Sequence, residues 1–441
     1  MRHRETIGFR HGNWHERAWP PPGRTLELTI MTSTAEPTAT AESPSPEQPR
    51  MTPALTVLFA FACGAIGANL YYAQPLVTLI GPDIGLSREL ASLVVTLTQI
   101  GYGLGLLLLV PLGDILENKR LILSCVAVTS LALVLTALAP HALPFLAAAL
   151  FIGVTSSVIQ MLVPLAASMA DPASRGRTVG NVVSGLMIGI LLARPIAGFL
   201  ADIVGWRGVF GVSAVAMMAL VLLLARFLPR RQPTGGLGYG ETLRSLWTIW
   251  RTTPLLRRRA IYQFFLFADF SLFWTAAPLE LSGGGFHYSS SQIALFALAG
   301  AAGALSAPIA GRLADRGHTG IGSGAAITGV LLGFGLAGLA SGRVSIVLMT
   351  AAALVIDFSV QANLVFGQRA IYGLAPQIRN RLNGLYIAVF FVGGALGSAM
   401  ASPLHEFFGW NGIVGAGVVL SGLSLAFFLQ ATWRHGPGAS G

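Results

Sequence analysis

The sequence predicts an all-α polytopic membrane protein: twelve transmembrane helices in two pseudo-symmetric six-helix bundles. Three observations carry this. Of 441 residues, 54% are hydrophobic and only 10% charged, against about 25% charged in soluble domains. So few charges could not cover a globular surface of this size, so lipid must cover it. Apolar runs of membrane-spanning length recur from Thr52 onward. The two halves of the chain also match each other.

In chain order, residues 1–50 are polar, with Pro20-Pro21-Pro22 and no apolar stretch of signal-peptide length, and read as a disordered cytoplasmic tail. Met31 and Met51 would serve as alternative starts. A first bundle over 51–228 holds the spans 54–80, 89–112, 120–139, 142–169, 177–201 and 207–228. Each approaches the ~20 residues that cross a bilayer, and helices satisfy their own backbone groups in hydrocarbon. Residues 229–256 form a cytoplasmic linker. In it Leu243, Leu246, Trp247 and Trp250, spaced three and four apart, suggest a short amphipathic helix on the membrane surface. A second bundle over 257–432 holds 257–282, 290–311, 320–340, 344–371, 381–403 and 409–432, and 433–441 is a carboxyl tail.

The net charge of +10 invites a nucleic-acid reading, but the positions of the cations answer it. With the amino terminus cytoplasmic, 24 of the 28 Lys and Arg fall in cytoplasmic tails and loops. Arg88, Arg207 and Arg343 fall outside and Arg194 lies within a span. This is the positive-inside pattern, and the charge encodes orientation. No nucleic-acid partner is expected; the chain should be a multi-pass inner-membrane monomer with both termini cytoplasmic. The only lysine, Lys119, is not in a phosphate loop, so ATP drive is not expected. Cys63, Cys125 and eight scattered histidines suggest no metal and no cofactor. An integral-membrane enzyme would want clustered histidines or paired carboxylates at one surface, and a membrane sensor or assembly partner an appended soluble domain. Neither pattern is present in the sequence.

A shift of 204 residues superimposes Pro172 on Pro376, Arg175 on Arg379, Arg177 on Arg381, Gly180 on Gly384, Gly189 on Gly393, Gly205 on Gly409 and Trp206 on Trp410. A shift of 201 places Asp114 on Asp315. Internal repeats of this kind put a transporter's substrate at the interface between halves, near the bilayer midplane.

The segment Gly311-Arg312-Leu313-Ala314-Asp315-Arg316-Gly317 resembles the loop signature of the major facilitator superfamily. Val110-Pro111-Leu112-Gly113-Asp114 is a degraded first copy. Asn69-Leu70-Tyr71-Tyr72-Ala73-Gln74-Pro75 and Arg381-Leu382-Asn383-Gly384 are similar to bacterial drug- and sugar-efflux-like members. The resemblance implies a cavity lined by spans 1, 4, 7 and 10, and cytoplasmic latches. Asp114 and Asp315 would accept hydrogen bonds from the amino termini of spans 11 and 5. Asp171, Arg175, Arg177, Arg316, Arg379 and Arg381 would join them. Gly185, Gly189, Gly393 and Gly397 permit close helix packing, and the same faces could slide between halves.

Ionisable groups deep in lipid cost at least ~2.5–3.5 kcal/mol and are functional candidates. Asp357, Asp269, Glu280 and Arg194 are therefore the proton-coupling candidates, with Arg194 a possible partner of Asp269. Asp357, Gln361, Leu364 and Gln368 share a helix face that should meet a cavity rather than lipid. Asn69, Tyr72, Gln99, Tyr102, Gln160, Gln263, Phe270 and Trp274 complete the expected substrate cavity. The sequence thus suggests an exporter of a small drug-like or sugar-like molecule by proton antiport. A facilitator or an uptake symporter are the alternatives, since direction is not written in these residues.

Overall fold

The computed structural model describes residues 51–171, 174–232, 238–283, 285–374 and 378–435, and the predicted tail 1–50 lies outside the described residues. Among the described residues every regular element is helical.

In the first half, α1 (Pro53–Ala68) and α2 (Val77–Asp83) make the first crossing, α3 (Leu93–Leu108) the second and α4 (Asn118–Ala137) the third. The fourth is shared by α5 (Ala142–Ser156) and α6 (Ile159–Met169), and α7 runs Arg175–Phe227. The linker contains α8 (Tyr239–Thr252). In the second half come α9 (Pro254–Ser282), α10 (Ser290–Phe296), α11 (Ala301–Asp315), α12 (Thr319–Gly342), α13 (Ile346–Tyr372) and α14 (Arg379–His435).

Nine of the described helical stretches are long and apolar enough to cross a membrane. Two of them, α7 and α14, have 53 and 57 residues. At 1.5 Å per residue each would extend about 80 Å, more than twice a hydrocarbon core of about 30 Å. Each breaks once, at Gly205 (φ 72°, ψ 168°) and at Gly409 (φ 62°, ψ -159°), a combination of positive φ and extended ψ essentially confined to glycine. Both glycines are positions the repeat had paired. Counting α7 and α14 twice and adding the shorter α1 is consistent with twelve crossings.

Close backbone contact knits each bundle internally. A β-carbon on Gly189 would lie 2.3 Å from the Gly64 carbonyl, and one on Gly185 2.5 Å from that of Ala60. In the second half, β-carbons on Gly393 and Gly397 would lie 2.1 Å and 1.9 Å from the carbonyls of Phe264 and Ala268. These faces join α1 to α7 and α9 to α14, within bundles. They are locked seams rather than the sliding surface between halves that their spacing allowed.

The linker helix α8 buries Thr242, Leu246 and Ile249, while Trp247, expected on the same face, is 62% exposed. Tyr239 donates to the Leu108 carbonyl at 2.9 Å, and Arg381 donates to Ser245 Oγ at 3.4 Å. One short helix therefore touches both bundles at the arginine-rich end.

Candidate functional site

Three crossings are broken at mid-depth, and two of the breaks meet. Pro75 interrupts the first crossing and leaves Gln74 in a short 3-10 turn. In the eighth crossing a 3-10 turn over Ala297–Gly300 separates α10 from α11. Arg194 of α7 sits between them, 3% exposed. Its Nε donates to Gln74 Oε1 at 2.8 Å. Its guanidinium carbon lies 5.0 Å from the Tyr71 ring centre in the first half, and 4.5 Å and 5.4 Å from Trp274 and Phe270 in the second. Cation–π contact of this kind gains strength when dry.

Asp357 of α13 faces the same spot from the other bundle. Trp274 Nε1 donates to its Oδ1 at 3.2 Å. A β-carbon added to Gly300 would meet Asp357 Oδ2 at 2.9 Å and Arg194 Nη1 at 3.2 Å. A side chain at position 300 would therefore wedge between carboxylate and guanidinium, and glycine lets the two flank the backbone. Pro75, Arg194, Trp274, Pro278, Ile293, Phe296 and Ala297, drawn from both bundles, line a small cavity here.

The other expected residues fall into three groups. At the interface between bundles, Ser271 donates to Gln99 Oε1 at 3.1 Å, and Tyr102 lies 4.3 Å ring to ring from Phe391 while accepting from Gln160 Nε2 at 3.2 Å. Tyr72 packs, half-buried, against both bundles. Within a single bundle, Asn69 accepts from Ser213 at 2.6 Å and reaches Met217, which turns it toward the sixth crossing. Gln263 accepts from Asn363 at 2.8 Å, and Gln368 donates to Asn383 at 3.1 Å. Gln361 packs its chain against Gly303 of α11. Glu280 accepts from Ser341 at 2.6 Å and lies 3.2 Å from His405 Nε2, tying three helices of the second bundle.

Asp269 stands apart. It is fully buried, and neither carboxylate oxygen has a hydrogen-bond partner. It lies one turn from Phe265, which stacks on Phe427, and one turn from Phe273, which packs on Phe334 and Trp410. Its helix face thus looks into the second bundle. Arg194, expected as a partner for Asp269, lies beside Asp357 instead, because α7 meets the eighth crossing at its break.

The expected latch is not assembled. Asp315 pairs with Arg369 of its own bundle at 3.3 Å, and both are exposed. Arg379 donates to the Tyr372 carbonyl at 3.2 Å and Arg381 to Ser245. The side chains of Asp114, Asp171, Arg175, Arg177 and Arg316 are exposed and without ion pairs among the described residues. Contacts between bundles gather instead at mid-depth and toward the opposite end. There Ser291 donates to Asp202 through its backbone N–H and its hydroxyl, Thr96 and Ser398 hydroxyls lie 3.0 Å apart, and Ser92 reaches the Ala399 carbonyl.

Gln74, Tyr71, Gly300, Asn363 and Ser398 were not among the expected site residues. Gln74 and Tyr71 carried a signal, being polar groups beside a proline inside an apolar run. Gly300 carried none.

A polar, charged site enclosed between two repeated helical bundles defines a class: polytopic membrane transporters with a central interface site. The family model of the Major Facilitator Superfamily matches residues 57–366 and 260–440. An uncharacterised transporter of Escherichia coli O157:H7, YgaY, is 39% identical over 88% of this chain and 96% of its own. A probable transporter of Streptomyces coelicolor is 34% identical over 82% of this chain and 85% of its own. Among solved structures, a bacterial homologue of the human lysosomal transporter Spinster, inward-facing and unoccupied, superimposes with TM-score 0.68 at 15% identity, over 86% of this chain and 96% of that one. The chain belongs to the Major Facilitator Superfamily.

Proposed function

We propose that this chain is a proton-coupled secondary transporter of a small organic solute, working by alternating access with Asp357 as the proton-exchange group. One observation carries the reading: a carboxylate and a guanidinium from opposite bundles flank the backbone at Gly300 without an ion pair between them. Rocking the bundles about such a site changes the separation of the two charges. In a dry interior that separation is worth far more than in water, so protonation and conformation are linked. The exposed amino-terminal turns of α7, with Arg175, Arg177, Gly180 and Asn181 uncovered, and the contacts at the opposite end support an inward-facing state in a bacterial inner membrane.

Two senses of coupling fit this machine. Export of a drug-like or sugar-like molecule by proton antiport, which the resemblance to efflux members implies, requires solute and proton to compete for Asp357. Cotransport is favoured by Arg194, since a proton on Asp357 leaves that buried cation without its nearest counter-charge. The test is flux in proteoliposomes under pH gradients of either sign. Asp357→Asn should abolish gradient-driven flux while protein yield is retained, and proton-driven flux unchanged in that variant would eliminate the mechanism.

A further inference from the structure

We propose that the solute is an organic monoanion, a carboxylate on a small apolar or aromatic body, held by the side chains of Arg194 and Gln74. The proposal rests on the reading of Asp357 above and adds the chemical class of the ligand. Two buried polar atoms of this cluster have no hydrogen-bond partner, Arg194 Nη2 and Gln74 Nε2. Both are donors. Their orientation is coupled: Gln74 spends its acceptor oxygen on Arg194 Nε, which leaves its amide N–H groups unpaired. A buried donor without an acceptor has lost its water and gained nothing in return, a cost that is larger when the donor is charged. Two such donors on adjoining side chains ask for one acceptor with two oxygens, and a carboxylate supplies that geometry to a guanidinium.

The surroundings set the rest of the ligand. Trp274, Phe296, Ile293 and Pro278 form apolar, uncharged walls of the adjoining cavity, which in this state has room for about one water, so a hydrocarbon or aromatic body is admitted only as the bundles rock apart. A cationic solute would meet the guanidinium head-on. A neutral polyol would leave Arg194 Nη2 with a weak acceptor in a site with few other polar atoms.

The same arrangement sets the sense of coupling. The ionisable groups facing Asp357 are Arg194 from α7 and Tyr71 from the break in the first crossing. With Asp357 ionised, its charge partly neutralises Arg194 across Gly300 and opposes an incoming anion. A proton on Asp357 removes that opposition, so proton and anion bind in concert and are carried together.

The experiment is equilibrium binding to the purified full-length chain in detergent, read by tryptophan fluorescence. The probes are benzoate, benzamide as its uncharged counterpart, and benzylamine as a cation. Benzoate should bind at least about tenfold tighter than either, and about tenfold tighter near pH 5.5 than near pH 8. Arg194→Gln should erase the preference for benzoate over benzamide. Asp357→Asn, which leaves the Arg194–Gln74 bond in place, should bind benzoate at least as tightly as the parent at low pH and lose the pH dependence. Benzamide or benzylamine binding as well as benzoate, no benzoate binding at either pH, or weaker benzoate binding by Asp357→Asn would each overturn the proposal. Such failure would leave the flux test of Asp357 untouched, because binding is read without a gradient. Conversely, proton-driven flux persisting in Asp357→Asn would remove the coupling role and leave an anion preference standing.

Discussion

The two halves share a backbone and differ in charge. Gly205 and Gly409 reverse the chain at equivalent places, and the tryptophan after each is anchored by its indole N–H. Trp206 donates to Asp83 Oδ2 and Trp410 to the Ala337 carbonyl, each at 2.9 Å. The seams of α1 on α7 and of α9 on α14 both bring glycine against a facing backbone. Yet the shift of 204 that aligns these positions carries Arg194 onto Ser398. One is a buried cation in an aromatic cage; the other is a hydroxyl paired with Thr96 across the interface. Duplication preserved what helix packing needs at every copy. At this position the charge is present in one half only, and a cation in place of Ser398 would cost insertion energy with only a hydroxyl beside it.

Exchange of the two equivalents tests this most severely. Arg194→Ser should lower solute transport at least about 30-fold, the equivalent of losing a buried charged contact worth about 2–5 kcal/mol, and flux assays measure it. Ser398→Arg should instead cost folding, since it buries a cation beside Thr96 at a fully buried position. A destabilisation of at least about 2.5–3.5 kcal/mol is expected, read as lost yield of monodisperse protein. Equal behaviour of the two variants would mean that the halves are not specialised.

Gly189→Val and Gly397→Val sharpen the other side of the comparison. Each drives a side chain into a facing carbonyl, so each should destabilise by about 1–3 kcal/mol or more, and thermal melting should move similarly for both. Gly300→Ala should behave differently from either. Its methyl group meets the flexible ends of Asp357 and Arg194, so melting should hardly change while the pH profile of transport shifts.

The smallest effect separates the two tryptophan anchors. Trp206→Phe and Trp410→Phe each lose one indole hydrogen bond, and for the buried Trp410 bond the loss should be about 0.5–1.5 kcal/mol. The first anchor is the exposed carboxylate of Asp83, the last residue of α2 and beyond the predicted span 54–80. Hydrogen bonds from Arg207, then from Trp206, hold the Asp83 carboxyl below the usual carboxylate range. A depressed pKa means that this stabilisation is present above the unfolded carboxylate's pKa and is lost as pH falls through the folded one. The melting advantage of the parent over Trp206→Phe should therefore shrink on acidification below about pH 4. The advantage over Trp410→Phe, whose acceptor is a carbonyl, should persist.

Much of the scaffold was legible in the chain. Apolar run lengths marked the helices long enough to cross a bilayer, and repeated glycines marked both reversals and seams, because these features depend on local chemistry and on a bilayer of fixed thickness. Parts of the site were legible for the same reason. A buried Asp357 or Arg194 is conspicuous in an apolar run wherever it points. Legibility failed for direction. Asn69 and Asp269 sit on helices expected to line the cavity, yet they face into their own bundles. Trp247 shares a helical stripe with Leu246 but turns to the surface. The expected latch stayed apart because its members lie on different bundles, whose separation at that end no local pattern encodes.

By itself the sequence determined that this protein lives in lipid, that it is a duplicated helical bundle with a marked arginine-rich end, and that a few charges are buried within it. Hydropathy, period and composition act residue by residue and are written in order along the chain. Only the tertiary structure decided which of those charges meet. Arg194 finds Asp357 rather than Asp269 because two broken crossings from opposite halves converge at Gln74 and Gly300, and proximity between segments a hundred or more residues apart arises from packing alone.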